Sequence, residues 1–248
     1  MIARSANPGL NKNTFSQVRG FTLSDNLMTL QGTVNKTGIM LFLALLSAMW
    51  VWRQFFVYEA PQISLYLWGG AIGGFIAAMV AIFKPTTAPI VAPVYALLEG
   101  LFLGGISSIM EARFPGIVIQ AVGLTFGTLF ALLFAYKSGL IKATENFKLG
   151  VAAATGGIFM MYMVSFVLGF FGMNVPFIHG NGIIGIGISG FIVVIAALNL
   201  VLDFDFIEHG VEQGAPKFME WRAALGLMIT LVWLYIEILH LLSKLRSR

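Results

Sequence analysis

Four carboxylates occupy stretches so apolar that a lipid-facing chain has no reason to place them there. They are Glu99 in "YALLEGLFLGG", Asp203 and Asp205 in "NLVLDFDFIE", and Glu237 in "WLYIEILHLL". An acidic side chain at the centre of a membrane helix costs at least about 2.5 to 3.5 kcal/mol, so such residues mark ion paths, proton relays or gates. Carboxylate oxygens are also the ligands that hard cations such as calcium take, and rings or rows of them attract cations into pores. The chain has no cysteine, which excludes disulfides, thiolate catalysis and Cys-ligated zinc or iron–sulfur sites.

Helical geometry separates the two aspartates. At about 100° per residue, Asp203 and Asp205 point about 200° apart, so only one faces the interior of a bundle. On the side of Asp203 lie Asn199, Ala196, Ser189, Gly185 and Gly182, a small and polar stripe. On the side of Asp205 lie Val201, Leu198, Val194 and Gly187, which reads as a lipid or core face. Asp203 is therefore the expected inward carboxylate. Glu237 lies deep in its run with Trp233 and His240 on the same face, and Glu99 is flanked by Gly100 and Gly104.

The elements that must position these groups are membrane spans. The chain of 248 residues is 58% hydrophobic and only 10% charged, far outside the range of soluble domains. A bilayer core of about 30 Å needs about 20 apolar residues per helix. Seven such runs are visible, roughly 39–57, 63–83, 89–110, 117–136, 151–171, 183–202 and 223–242. The expected fold is an all-α bundle of seven transmembrane helices over 38–248, preceded by a polar tail over 1–37. That tail is either disordered or carries a short interfacial helix around "LSDNLMTLQG", where Asp25 supports an amphipathic turn.

Lys and Arg in short loops set orientation. Arg4, Lys12, Arg19, Lys36, Lys84, Lys137, Lys142, Lys148, Lys217 and Arg222 fall on one side, against Arg53 and Arg113 on the other. This bias places the N-terminus in the cytoplasm. Lys244, Arg246 and Arg248 oppose it, and a re-entrant last segment would be one way to reconcile them. The net charge of +4 comes from these scattered residues and not from a basic patch with interleaved aromatics, so no nucleic-acid partner is expected. The glycines, 28 in number, fall inside the helices, where small residues let membrane helices approach closely.

Two other signals are weaker. "GISG", Gly187 to Gly190, matches the GxSG pattern of intramembrane serine proteases, with His240 as a conceivable base. No accompanying oxyanion-stabilising pattern is present, so Ser189 reads as a packing residue and no enzymatic activity is expected. His179 and His209 lack partners at metal-ligand spacing, so no zinc site and no resident cofactor are expected.

"GLFLGG", "LDFDFIE" and "WLYIEILHLL" together resemble the Bax inhibitor-1 family, also called the transmembrane Bax inhibitor motif family, in its bacterial members with a long N-terminal extension. The family aspartate of helix six falls on Asp203 and its acidic residue of the last helix on Glu237. The resemblance implies a pH-sensitive calcium leak channel of the plasma (inner) membrane, gated by a pair of buried carboxylates. Asp203 and Glu237 would be its transient calcium ligands, with Asp205 and Glu99 along the ion pathway. The chain departs from the family at Phe204 and Asp205, where Thr and Gln are usual, and at Glu237, where Asp is usual. The family's basic latch has no clear match, with Lys84, Arg53 and Arg222 as candidates. A pair in one poorly hydrated site exchanges protons in coupled steps, so flux is expected to vary between roughly pH 5 and 8. A proton-coupled small-solute transporter would use the same buried carboxylates, and a non-conducting scaffold for other membrane proteins is the third reading. The protein is expected as a monomer or small homo-oligomer, with the bilayer and calcium ions as its partners.

Overall fold

The apolar runs become, among the described residues, seven helices each long and apolar enough to cross a membrane. They are α1 (Leu30–Phe56), α2 (Ile63–Phe83), α3 (Ala88–Arg113), α4 (Ile117–Lys137), α5 (Glu145–Phe170), α6 (Ile183–Glu212) and α7 (Met219–Arg246), with a 3-10 turn at Pro85–Thr87 before α3. The structure, a computed structural model, describes residues 26–58, 63–172, 180 and 182–247. Asp25 and His179 lie outside the described residues, as does most of the polar tail.

Two helices reach further than hydropathy alone indicates. α1 begins at Leu30, nine residues before its apolar run, because Thr29 caps it: the Thr29 hydroxyl accepts from the amide of Gly32 at 2.9 Å. Thr33 and Thr37 are buried within the first turns, each donating its hydroxyl to the carbonyl four residues back at 3.0 Å. That back-bonding satisfies the hydroxyls inside the helix. α6 continues to Glu212, ten residues past the end of its run, so Asp203 and Asp205 both lie within a helix and not beyond its end.

The segment before α1 is stitched to the α6–α7 connector. The amide of Met28 donates to Ala215 at 2.7 Å and that of Lys217 to Asn26 at 2.8 Å. Glu220, 1% exposed, accepts from both the amide and the hydroxyl of Thr29 at 2.9 Å and pairs with Lys36. Gly32 makes room for that carboxylate, since a Cβ there would lie 2.1 Å from its Oε1.

At the opposite end the C-terminal cations have a structural use. Arg246 donates to the carbonyls of Phe114 at 3.3 Å and Pro115 at 2.7 Å, and to Gln120 Oε1 at 3.0 Å. It thereby ties the end of α7 to the α3–α4 turn. With 28 residues, α7 is a complete crossing of about 42 Å at 1.5 Å per residue, so the re-entrant reading is set aside. The seven crossings put the two ends of the bundle on opposite sides.

α7 is the axis of the bundle and contacts α1, α2, α3, α4 and α6. Its Ala224, Leu225 and Met228 pack with Tyr95 and Ala96 of α3, while Leu227, Leu231 and Leu234 face Leu200 and Phe204 of α6 and Ile117 and Ala121 of α4. Since lipid offers no hydrophobic drive for helices to associate, close approach of backbones carries the packing. Gly100 and Gly104 supply it between α3 and α1: an added Cβ would stand 2.4 Å from the Ala44 carbonyl oxygen and 2.7 Å from that of Ala48. Gly100→Ala is expected to force these helices apart and destabilise the protein by about 1 to 3 kcal/mol. A lower melting temperature in detergent, with the helical circular dichroism of the native state retained, is the measurement.

α5 is held differently. Among the described residues it buries only Val151 and Ile158, and its backbone packs against α6 alone. Ile158, with Ala154, Met161 and Tyr162 beside it, packs on Ile188, Ile192 and Ile195 of α6 and on Trp233 of α7.

Candidate functional site

Asp203 stands beside α7 at the level of Gly226 and Thr230. Its Oδ1 lies 3.9 Å from where a Cβ on Gly226 would be, so the absence of a side chain there leaves the carboxylate its space. The Thr230 hydroxyl, which donates to the Gly226 carbonyl at 3.3 Å, is its polar neighbour. Its other oxygen, Oδ2, is buried with no hydrogen-bond partner among the described residues. A buried carboxylate oxygen left without a donor is costly, and its retention points to a use other than stability.

The stripe beneath Asp203 is interior over its middle, whereas Gly182 at the start of α6 is exposed. Ala196, Ser189 and Gly185 are buried. Asn199 donates its amide to the Thr155 hydroxyl of α5 at 2.8 Å and to the carbonyl of Ile195 at 2.8 Å. Asp205 departs from the expectation of a lipid or core face. Its carboxylate pairs with Lys148 of α5 at 2.8 Å and lies 3.5 Å from His209 Nδ1. The physical reason is that α5 covers this side of α6, so a face that reads as apolar from Val201, Leu198 and Val194 ends on a basic side chain from another helix.

Glu237 is 4% exposed. Its Oε1 accepts from the Tyr162 hydroxyl at 2.8 Å and from the Trp233 indole at 3.1 Å. Tyr162 comes from α5 and Trp233 lies one turn back on α7, so α7, which borders Asp203, also borders Glu237 and is joined there by α5.

The two carboxylates do not share one site. Asp203 meets α7 at Gly226 and Thr230, and Glu237 is seven residues beyond Thr230, about 10 Å along the axis. They are stacked on one column instead. The α5 contributions to that column recur every seven residues: Lys148 to Asp205, Thr155 to Asn199, and Tyr162 to Glu237. Seven residues is nearly two turns, so all three lie on one face of α5. Further along, Lys244, seven residues past Glu237 on α7, donates to Ser189 Oγ at 2.7 Å and to the Gly185 carbonyl at 3.3 Å. A line of polar side chains thus runs from Asp203 to Lys244 between α5, α6 and α7.

Lys148, Thr155, Tyr162 and Lys244 were not singled out from the sequence as site residues. The available signal was their heptad spacing, 148, 155 and 162 on one helix and 237 and 244 on another. It is faint among helices so apolar.

Glu99 is not brought into this column. It is buried on α3 against Gly74 of α2, where an added Cβ would lie 2.7 Å from its Oε2, with Tyr95 one turn back as its polar neighbour. The Tyr95 side of α3 packs on Ala224, Leu225 and Met228, a different face of α7 from Gly226 and Thr230.

The latch candidates also lie elsewhere. Arg222 donates to the carbonyls of Ala81 and Ile82 at 2.8 and 3.2 Å, closing the end of α2. Arg53 lies over the Tyr58 ring, 5.6 Å from its centroid. Lys84 is exposed. The basic side chains near carboxylates of the column are Lys148 and Lys244.

A cavity of about 430 Å³ opens where the α4–α5 loop meets α6 and is lined by Tyr136, Lys137, Lys142, Thr144, Asp205 and Glu208. It forms a polar vestibule at the Asp205 end of the column, with the Tyr136 hydroxyl donating to Glu208. A second cavity of about 430 Å³ between α1 and α4, bordered by Leu45, Met49, Val122 and Phe126, is apolar and includes none of the four carboxylates. Among the described residues no three His, Cys, Asp or Glu side chains cluster to hold a metal ion.

No curated protein and no solved structure matches the chain. The family model described as "Bax inhibitor 1 like" matches residues 5–247, nearly the whole sequence, and this membrane protein of seven spanning helices belongs to the Bax inhibitor-1-like family.

Proposed function

We propose that the protein is a pH-sensitive calcium leak channel of the plasma membrane, with a cytoplasmic N-terminus and the column from Asp203 to Glu237 as its ion path. The observation that carries this reading is the buried Asp203 oxygen with no hydrogen-bond partner among the described residues, at one end of a polar line that continues through Asn199 to Glu237. Calcium takes oxygen ligands, and a carboxylate with an unused oxygen is a stepping site for it. The vestibule beside Asp205 and Glu208 supplies an entrance at the same end. The orientation is supported by the Lys and Arg bias of the loops.

The pH sensitivity rests on Asp203 and Glu237 as two carboxylates of one path. Because they are stacked about 10 Å apart, protonation of each alters its own step of the path and the pair does not exchange one shared proton. Purified protein in liposomes loaded with a calcium dye is expected to pass calcium passively, with a rate that changes between roughly pH 5 and 8. Saturable solute movement coupled to protons, without passive calcium flux, would instead identify a transporter. Neither movement would identify a scaffold.

A further inference from the structure

Lys244 occupies the far end of the column in a manner the leak reading does not use. Its ammonium is held by two oxygens of α6, the Ser189 hydroxyl at 2.7 Å and the Gly185 carbonyl at 3.3 Å. Ser189 is 3% exposed and Gly185 is buried, so these are interior groups on the stripe that leads to Asp203. Hydroxyl and carbonyl oxygens lining a path are the groups that replace the hydration shell of a permeating cation. A long flexible stem with a compact ammonium at its tip is suited to reach such oxygens from the end of a helix.

We infer that Lys244 is a tethered cation that occupies the exit of the path, competing with the permeating ion for the oxygens of Ser189 and Gly185. The proposal rests on the column being the ion path and adds the element that holds it shut at the end remote from Asp203. Charge adds to occlusion, because an ammonium fixed at the exit repels a divalent cation as well as filling its site. Glu237, two turns back on the same face of α7, interacts electrostatically with it and favours its position. Withdrawal of Lys244 leaves two oxygens facing the path and no cation between them.

The short contact between Ser189 and Lys244 also has the composition of a serine–lysine nucleophile pair. Ser189 lies inside α6, where its amide belongs to the helix and offers no oxyanion donor.

The test uses the cysteine-free full chain in liposomes. Ile192→Cys places a reporter one turn from Ser189 on the same stripe, inward of Lys244. A membrane-impermeant cationic thiol reagent is applied from the C-terminal side. Adding Lys244→Gln is expected to speed labelling at least about tenfold and to raise calcium flux severalfold, whereas Lys244→Arg, which keeps the cation, retains the parent rates. Equal labelling with and without the Lys244→Gln substitution overturns the plug, whatever the flux does. Faster labelling with no calcium flux in any variant supports the plug and overturns the leak reading. Covalent labelling of Ser189 in the parent by a fluorophosphonate would mark it as a nucleophile and overturn the assignment. Ser189→Ala, which removes one of the two oxygens, provides the same comparison with a smaller expected increase if Lys244→Gln does not fold.

Discussion

Asp203→Asn is expected to lower calcium flux by about tenfold or more while leaving the folded protein at least as stable, and Asp205→Asn is expected to change flux by no more than about twofold. A unit negative charge 4 Å from a passing cation contributes on the order of 4 kcal/mol per unit of cation charge at an effective dielectric of about 20. Losing about 1.4 kcal/mol of that attraction is already a factor of ten. Stability is not expected to fall, because Oδ2 of Asp203 has no hydrogen-bond partner among the described residues for the substitution to remove. Asp205 is different in each respect. It is engaged by Lys148 and His209, so its charge is already compensated and solvent-screened where a cation would pass. Flux in liposomes and melting in detergent, measured on both variants, check the expectation. Equal flux from the two variants would remove Asp203 from the path, and a lower melting temperature for Asp203→Asn would give it a structural role.

The second large effect concerns α5. Its apolar attachment is one cluster centred on Ile158 against Ile192, Ile195 and Trp233, and three polar rungs at heptad spacing tie it over the column. The neutral Thr155–Asn199 rung is worth about 0.5 to 1.5 kcal/mol. On the proposed path, displacement of α5 would expose Asn199 and Glu237 together, since Asn199 donates a hydrogen bond to it and Glu237 accepts one from it. Thr155→Cys with Asn199→Cys, bridged by a short reducible bis-thiol cross-linker, is expected to reduce calcium flux about tenfold or more. Reduction of the bridge should restore it. Without the bridge, the double variant loses one rung and should conduct a few times faster than the parent, since about 1 kcal/mol shifts an equilibrium roughly fivefold. Bridged protein that conducts like unbridged protein would show that α5 stays in place during conduction.

The sequence by itself determined the bundle. Seven apolar runs, a near absence of charge within them and abundant helix glycines leave a polytopic helical membrane protein as the only solution, because lipid satisfies no backbone group and only helices satisfy their own within one segment. It also determined that Asp203 and not Asp205 faces inward against α7, since the 200° between them and the small stripe of Asn199, Ala196 and Ser189 are local properties of one helix. The ends of α1 and α6 were less legible, because hydropathy reports lipid depth, whereas Thr29 and the connector contacts decide where hydrogen bonding stops.

Only the tertiary structure decided which side chains meet. That Glu99 belongs to another face of α7, that Asp203 and Glu237 are stacked and not paired, and that Asp205 answers to Lys148 all depend on the rotation and axial offset of separate helices. Those quantities are set by backbone contacts such as Gly100 on Ala44, and lipid imposes no pattern that would write them into hydropathy. Lys148, Thr155, Tyr162 and Lys244 became legible for the same reason. Each is an ordinary residue in its own helix and acquires a role from the oxygen or carboxylate that a neighbouring helix brings to it.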